Sequence, residues 1–178
     1  MTIKQLLIRL RTCPKGNTGW SDFEDVCIDI LRYLFVPPLQ EPKIQRRTYK
    51  KTIRRDALFP NRNVDNTKPW GHLFMEFGAR MVLFEFKNYH SNDLTGTAVE
   101  QACGYLTNTT GRLGVIISTK PPTTSAIARR SMFFNDQKKL VLFLTPNHLR
   151  EMIRRKRGGE DPADLVMDLV EDFYAEHQ

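Results

Sequence analysis

Apolar residues recur at helical spacing over Ile3, Leu6, Leu7 and Leu10, predicting a short helix over 1–11 that the turn 14–19 ends. A second helix opens at Ser21, with Glu24 three residues on as the other half of a capping box. Phe23, Val26, Cys27, Ile30, Leu31 and Leu34 form its apolar stripe, and Pro37-Pro38 stops it. Residues 43–59 then read as two strands joined by a tight turn near 49–52, and 70–77 as a short helix or irregular segment. Residues 81–89 form a strand. A helix opening at Thr97, capped with Glu100 and closed by Gly111, buries Val99, Ala102, Cys103 and Leu106. The runs 113–117 and 140–144 are apolar throughout, as in strands covered on both faces. A helix over 123–135 lies between them. Thr145-Pro146 starts another helix with Leu149, Met152 and Ile153 inward, and Asp161-Pro162 a last one with Leu165, Val166, Leu169, Val170 and Phe173. This order predicts an α/β fold, a mixed central sheet flanked by helices, in a single domain over 1–178.

Within the strand 81–89, alternation sends Val82, Phe84 and Phe86 to one layer, and Glu85 and Lys87 to the other. A carboxylate and an ammonium in an apolar strand are costly to bury without partners or a metal. An ion pair at the strand's end is the plain alternative. Asp56 ends the second strand of the 43–59 pair, either as turn chemistry before Pro60-Asn61 or as a partner for Glu85. Adjacent strands lie about 5 Å apart, so the two carboxylates can converge on one ion. Hard oxygen donors with water suit Mg²⁺. Lys87, about 7 Å along the strand from Glu85, would reach an attacking water or a phosphoryl oxygen. Glu24 on periodicity is a capping residue, and Gln101 and Tyr105, one turn apart, lie on the surface.

Charge narrows the partner class. The net charge is +7, but all 27 Lys and Arg precede Gly158, where only 13 of the 20 acids lie, so residues 1–157 carry +14. Such a body attracts polyanions, nucleic acid foremost, unless the acidic C-terminal helix merely neutralises it. Lys43, Arg46, Arg47, Lys50, Lys51, Arg54 and Arg55 crowd the hairpin, either protecting an edge or gripping phosphates. Arg129 and Arg130 are further candidate backbone contacts. The cluster 154–157 complements its own helix dipole. Three scattered cysteines in no C-x-x-C pair argue against a disulfide framework or zinc site and favour a reducing cytoplasm. No apolar run is long enough for a membrane span, and the N-terminus lacks the features of a secretory signal. His72, His90, His148 and His177 have no ligand spacing and read as surface residues; only His90 falls near the strand that carries Glu85.

Phe23-Glu24, Arg55-Asp56, Glu85-Phe86-Lys87 and Gln101-x-x-x-Tyr105, in this order and on these elements, resemble the PD-(D/E)XK nucleases of the restriction-endonuclease-like superfamily, and among them the Mrr-like restriction endonucleases. The likeness covers 21–117, with Arg55 where the family's motif has proline, and 140–174 is similar more loosely to C-terminal additions on such domains. The resemblance implies an αβββαβ core over about 18–120. It implies Asp56, Glu85 and the Phe86 carbonyl as ligands of Mg²⁺, with Mn²⁺ a substitute. Lys87 would act on the water or phosphate, Glu24 as an auxiliary ligand or water-positioner, and Gln101 as lining supported by Tyr105. The implied function is metal-dependent endonucleolytic hydrolysis of DNA, duplex in the first instance, in bacterial restriction or anti-phage defence. The implied protein works as a homodimer or beside other defence subunits. An inactive nucleic-acid-binding or assembly module of the same fold, and a junction-resolving nuclease, are the alternatives.

Overall fold

The computed structural model describes residues 2–44 and 57–177. Along these run α1 (Ile3–Thr12), α2 (Trp20–Phe35), β1 (Lys43–Ile44), β2 (Ala57–Pro60), α3 (Pro69–Phe77), β3 (Met81–Lys87), α4 (Gly96–Tyr105), β4 (Leu113–Ser118), α5 (Thr124–Gln137), β5 (Leu140–Leu144), α6 (Pro146–Arg157) and α7 (Asp164–Glu176). The strands form one sheet in the order β1-β2-β3-β4-β5. β1, β2 and β3 pair antiparallel, whereas β3, β4 and β5 run parallel through the crossover helices α4 and α5. This is the expected mixed sheet, with the core order helix, three strands, helix, strand; α3 is inserted between the second and third strands.

Side-chain alternation divides the interior into two cores. Val82, Phe84 and Phe86 of β3, with Val115 and Ile117 of β4, face the larger one, closed by α1, α2, α3, α6 and α7. Leu83, Ile116 and Val141 face the smaller one, closed mainly by Val99, Ala102 and Cys103 of α4. β4 is buried along its whole length because helices cover both of its faces, as its uninterrupted apolar run predicts. Both ends of the expected hairpin are present, with Lys43 opposite Leu58 and Ile44 opposite Ala57. Its expected turn, together with Arg46, Arg47, Lys50, Lys51, Arg54, Arg55 and Asp56, lies outside the described residues.

Helix ends depart from expectation where tertiary contacts set them. α2 starts at Trp20 behind Gly19, so Ser21 lies inside its first turn and the Ser21–Glu24 capping box does not form. A Cβ at residue 19 would stand 1.8 Å from the Pro14 carbonyl oxygen, so the close fold-back of this loop requires glycine. α4 likewise begins behind Thr95 instead of Thr97, and Glu100 pairs with Arg129 of α5 at 3.0 Å. It ends at Tyr105, well before Gly111, because the chain turns through 107–110, where the Thr107 and Thr110 hydroxyls bond each other and the local backbone.

The three cysteines are free, as expected. Among the described residues no helix is long and apolar enough to cross a membrane.

Candidate functional site

β3 loses its last described β2 partner at Phe84, opposite Ala57, while Glu85, Phe86 and Lys87 stay paired to Ile116, Ile117 and Ser118 of β4. The described β2–β3 ladder therefore ends one residue before Glu85. A pocket of about 540 Å³ lies there, bordered by the 15–18 loop, the first turns of α2, and residues 85–92. Its walls are set by polar contacts between segments far apart in sequence. Asn88, itself buried, donates from Nδ2 to the Pro14 carbonyl at 2.8 Å and accepts at its own carbonyl from the Gly16 N–H at 3.2 Å. On the other side the Thr119 hydroxyl accepts from the Tyr89 N–H at 2.8 Å and donates to the Tyr89 carbonyl at 2.9 Å. The loop before α2 and the ends of β3 and β4 are thereby fixed to one another.

Three of the sequence-predicted residues meet in this pocket. Glu24 from α2 and Glu85 from β3 border it at 1% and 2% exposure, and Lys87 stands beside them. Glu24 is thus a wall residue of the pocket and not the capping residue that periodicity suggests. Lys87 Nζ lies 2.5 Å from Glu85 Oε1 and donates to Gln101 Oε1 at 3.3 Å. Gln101 is therefore drawn from a surface helix position into contact with the site. Tyr105, one turn on, is partly buried and packs with the smaller core. Phe86 also lines the same pocket, and His90 borders it as its place in the sequence suggests.

Glu24 and Glu85 are nearly fully buried carboxylates, and the Lys87 ammonium pairs with Glu85, in a place where charge is costly without partners. Glu85 Oε2 is buried with no hydrogen-bond partner among the described residues. Hard oxygen donors with an unsatisfied lone pair fit a small divalent cation, for which Glu85, Glu24 and the Phe86 carbonyl are the described donors. Among the described residues no group of three or more His, Cys, Asp or Glu side chains stands close enough to hold a metal by itself. Nearby, burial pushes the Tyr89 hydroxyl's pKa up, Lys87 opposing and Glu85 adding to the rise, so the phenol keeps its proton at neutral pH.

The predicted phosphate contacts fare differently. Lys43 is exposed at the sheet's edge. Arg129 is engaged by Glu100. Arg130 is a structural residue: its guanidinium lies 5.1 Å from the Phe143 ring centroid and 4.8 Å from that of Phe173, with Glu176 at 3.4 Å. Lys156 of the basic last turn of α6 does not serve its own helix alone. Its ammonium donates to the Tyr33 and Leu34 carbonyls, at 2.6 and 2.9 Å, and so caps α2.

Sequence reasoning missed Lys15, Asn17, Trp20 and Asn88, all of which line the pocket. Only Asn88 had an available signal, as an amide directly after the charged end of a strand.

No family model and no solved structure matches the chain. It is similar to the "Putative transposon gamma-delta 80.3 kDa protein" of Escherichia coli (strain K12), at 25% identity over 179 residues, which covers 97% of this chain and 25% of that protein. The chain thus spans about a quarter of that relative's length.

Proposed function

We propose that the pocket at the end of β3 is the active site of a Mg²⁺-dependent DNA endonuclease of the PD-(D/E)XK type. The observation that carries this reading is the convergence of Glu24, Glu85 and Lys87 in one pocket, with Gln101 on Lys87, from elements far apart in sequence. A bound Mg²⁺ would supply a water of lowered pKa and shield the negative charge of a phosphodiester. Glu85, the Phe86 carbonyl and Asp56 would hold it, Asp56 being the residue before Ala57 at the last described rung of the β2–β3 ladder. Lys87, oriented by Gln101, presents an ammonium where charge builds on the phosphoryl oxygens. Glu24 orients water at the opposite wall. The body's charge of +14 over residues 1–157 supplies attraction for the polyanion.

The resemblance suggests restriction or anti-phage defence, and the likeness to a protein named for the transposon gamma-delta sets a mobile-element context beside it. One observation favours the inactive binding module instead: Lys87 and Glu85 already neutralise each other at 2.5 Å. Supercoiled plasmid separates the two readings. Wild type with Mg²⁺ is expected to nick it, with Asp56→Ala, Glu85→Gln and Lys87→Ala slower by about 10²- to 10⁴-fold. Glu24→Gln, at one remove, should be slower by about 10- to 100-fold. Nicking by wild type at the rate of Lys87→Ala would leave only the binding module.

A further inference from the structure

The hairpin cations other than Lys43 lie outside the described residues and Arg130 is committed to the interior, yet a different basic surface leads away from the pocket. α1 and α6 flank a groove of about 740 Å³ with Leu7 and Ile153 in its floor. Each helix presents side chains at i, i+4 and i+7 to it: Lys4, Ile8 and Arg11 from α1, and Arg150, Arg154 and Arg157 from α6. Among the described residues no acid lines the groove. Glu151 holds Arg154 at 2.5 Å, but Lys4, Arg11, Arg150 and Arg157 have no ion pair among the described residues, and all four are exposed. A smaller depression of about 370 Å³ joins this groove to the pocket. It shares Arg11 and Arg150 with the groove, and Lys15 and Asn88 with the pocket. Exposed cations thus run from Lys15 at the pocket through Arg11 and Arg150 to Arg157 at the far end of α6, with Arg154 among them held by Glu151.

We propose that this α1–α6 track holds the phosphate backbone of duplex DNA flanking the point of attack. Seven residues of helix advance about 10.5 Å, enough to face about three phosphates of one strand at roughly 3.4 Å of axial rise each. Cations on both sides of a groove, four of them with no ion pair among the described residues, match a row of phosphates and supply no base-reading geometry, so the contact positions the duplex independently of sequence. The inference rests on the proposed reading of the pocket only for where the duplex leads; its binding needs no cleavage.

Anisotropy of a fluorescein-labelled duplex, in EDTA and over a range of KCl concentrations, reads the track apart from catalysis. For the triple variant Arg11→Gln, Arg150→Gln, Arg157→Gln, the slope of log affinity against log salt should fall in magnitude by about 2 to 3, with affinity down at least about tenfold at low salt. Arg62→Gln, Lys68→Gln, Arg80→Gln removes equal charge near the N-terminal end of β3, away from the track, and should leave the slope unchanged. Arg150→Gln alone, losing among the described residues the Asn147 contact, should lower the slope by about 1 and serves if the triple variant fails to fold. An unchanged slope in the track variants, an equal fall in the control, or binding of phosphatidylserine vesicles in place of duplex would each overturn the proposal. A reduced slope in a protein that nicks no plasmid would keep the track and remove the nuclease. Normal nicking with an unchanged slope would do the reverse.

Discussion

Glu85 sits in a strand whose neighbouring positions are Leu83, Phe84 and Phe86, and its Oε2 has no hydrogen-bond partner among the described residues. An unsatisfied buried acceptor costs about 1–3 kcal/mol, so a site kept in this state stores a preference for a cation. Replacement by Gln removes the charge at nearly constant shape. Glu85→Gln should therefore melt no lower than wild type in EDTA. Mg²⁺ at about ten times its dissociation constant should stabilise wild type by about 1.4 kcal/mol, a rise of about 3–6 °C for a domain of this size, and leave the variant unmoved. Equal rises in both proteins, followed by differential scanning fluorimetry, would place the ion elsewhere. Glu85 and Lys87 were legible in the sequence because strand periodicity alone puts them on one face. For Asn88 the sequence offered its place after the strand's charged end but not its partners, since the carbonyls it binds lie 74 and 72 residues away.

At the scale of elements, strands proved more legible than helix ends. A strand buried on both faces reads as an apolar run wherever it packs, as 140–144 does. A helix start depends on what the preceding loop touches: Ser21 and Thr97 each precede a Glu at capping-box spacing, yet Gly19 and Thr95 cap those helices. α6 shows a local signal agreeing with packing. It starts behind Thr145, as the Thr-Pro pair predicts, and His148 Nδ1 accepts from the Thr145 N–H at 3.1 Å. Burial lowers the His148 pKa beneath its ordinary 6.5. The unfolded chain then binds more protons than the folded one across the window below 6.5, so this contribution is present above that pH and is lost as pH falls through the window. Gln at the same helical position offers an uncharged acceptor. In urea unfolding, the wild-type midpoint should drop more than that of His148→Gln between about pH 7.5 and about pH 5. Parallel drops would assign the acid sensitivity to another group.

Across the whole molecule, the acidic C-terminal helix was legible in its apolar stripe, whereas its charge suggested a helix that neutralises the basic body. An amphipathic stripe announces a buried face without naming what it packs on. Here Leu165, Val166, Val170 and Phe173 of α7 complete the larger core, and the acids on the opposite side meet the basic body, Asp168 with Arg155 at 2.9 Å and Glu176 with Arg130 at 3.4 Å. Phe173 joins these roles, because its ring packs on Phe134 at 4.8 Å between centroids and also carries the Arg130 guanidinium. Phe173→Ala should therefore cost about 3–5 kcal/mol and lower the melting temperature by on the order of 10 °C. Glu176→Gln, whose side chain is 69% exposed, should cost less than about 1 kcal/mol. The contrast separates burial from charge as the means by which α7 is held. A large loss from Glu176→Gln with little from Phe173→Ala would make α7 an electrostatic appendage, whereas the opposite ranking makes it part of the hydrophobic core that supports β3 and its pocket.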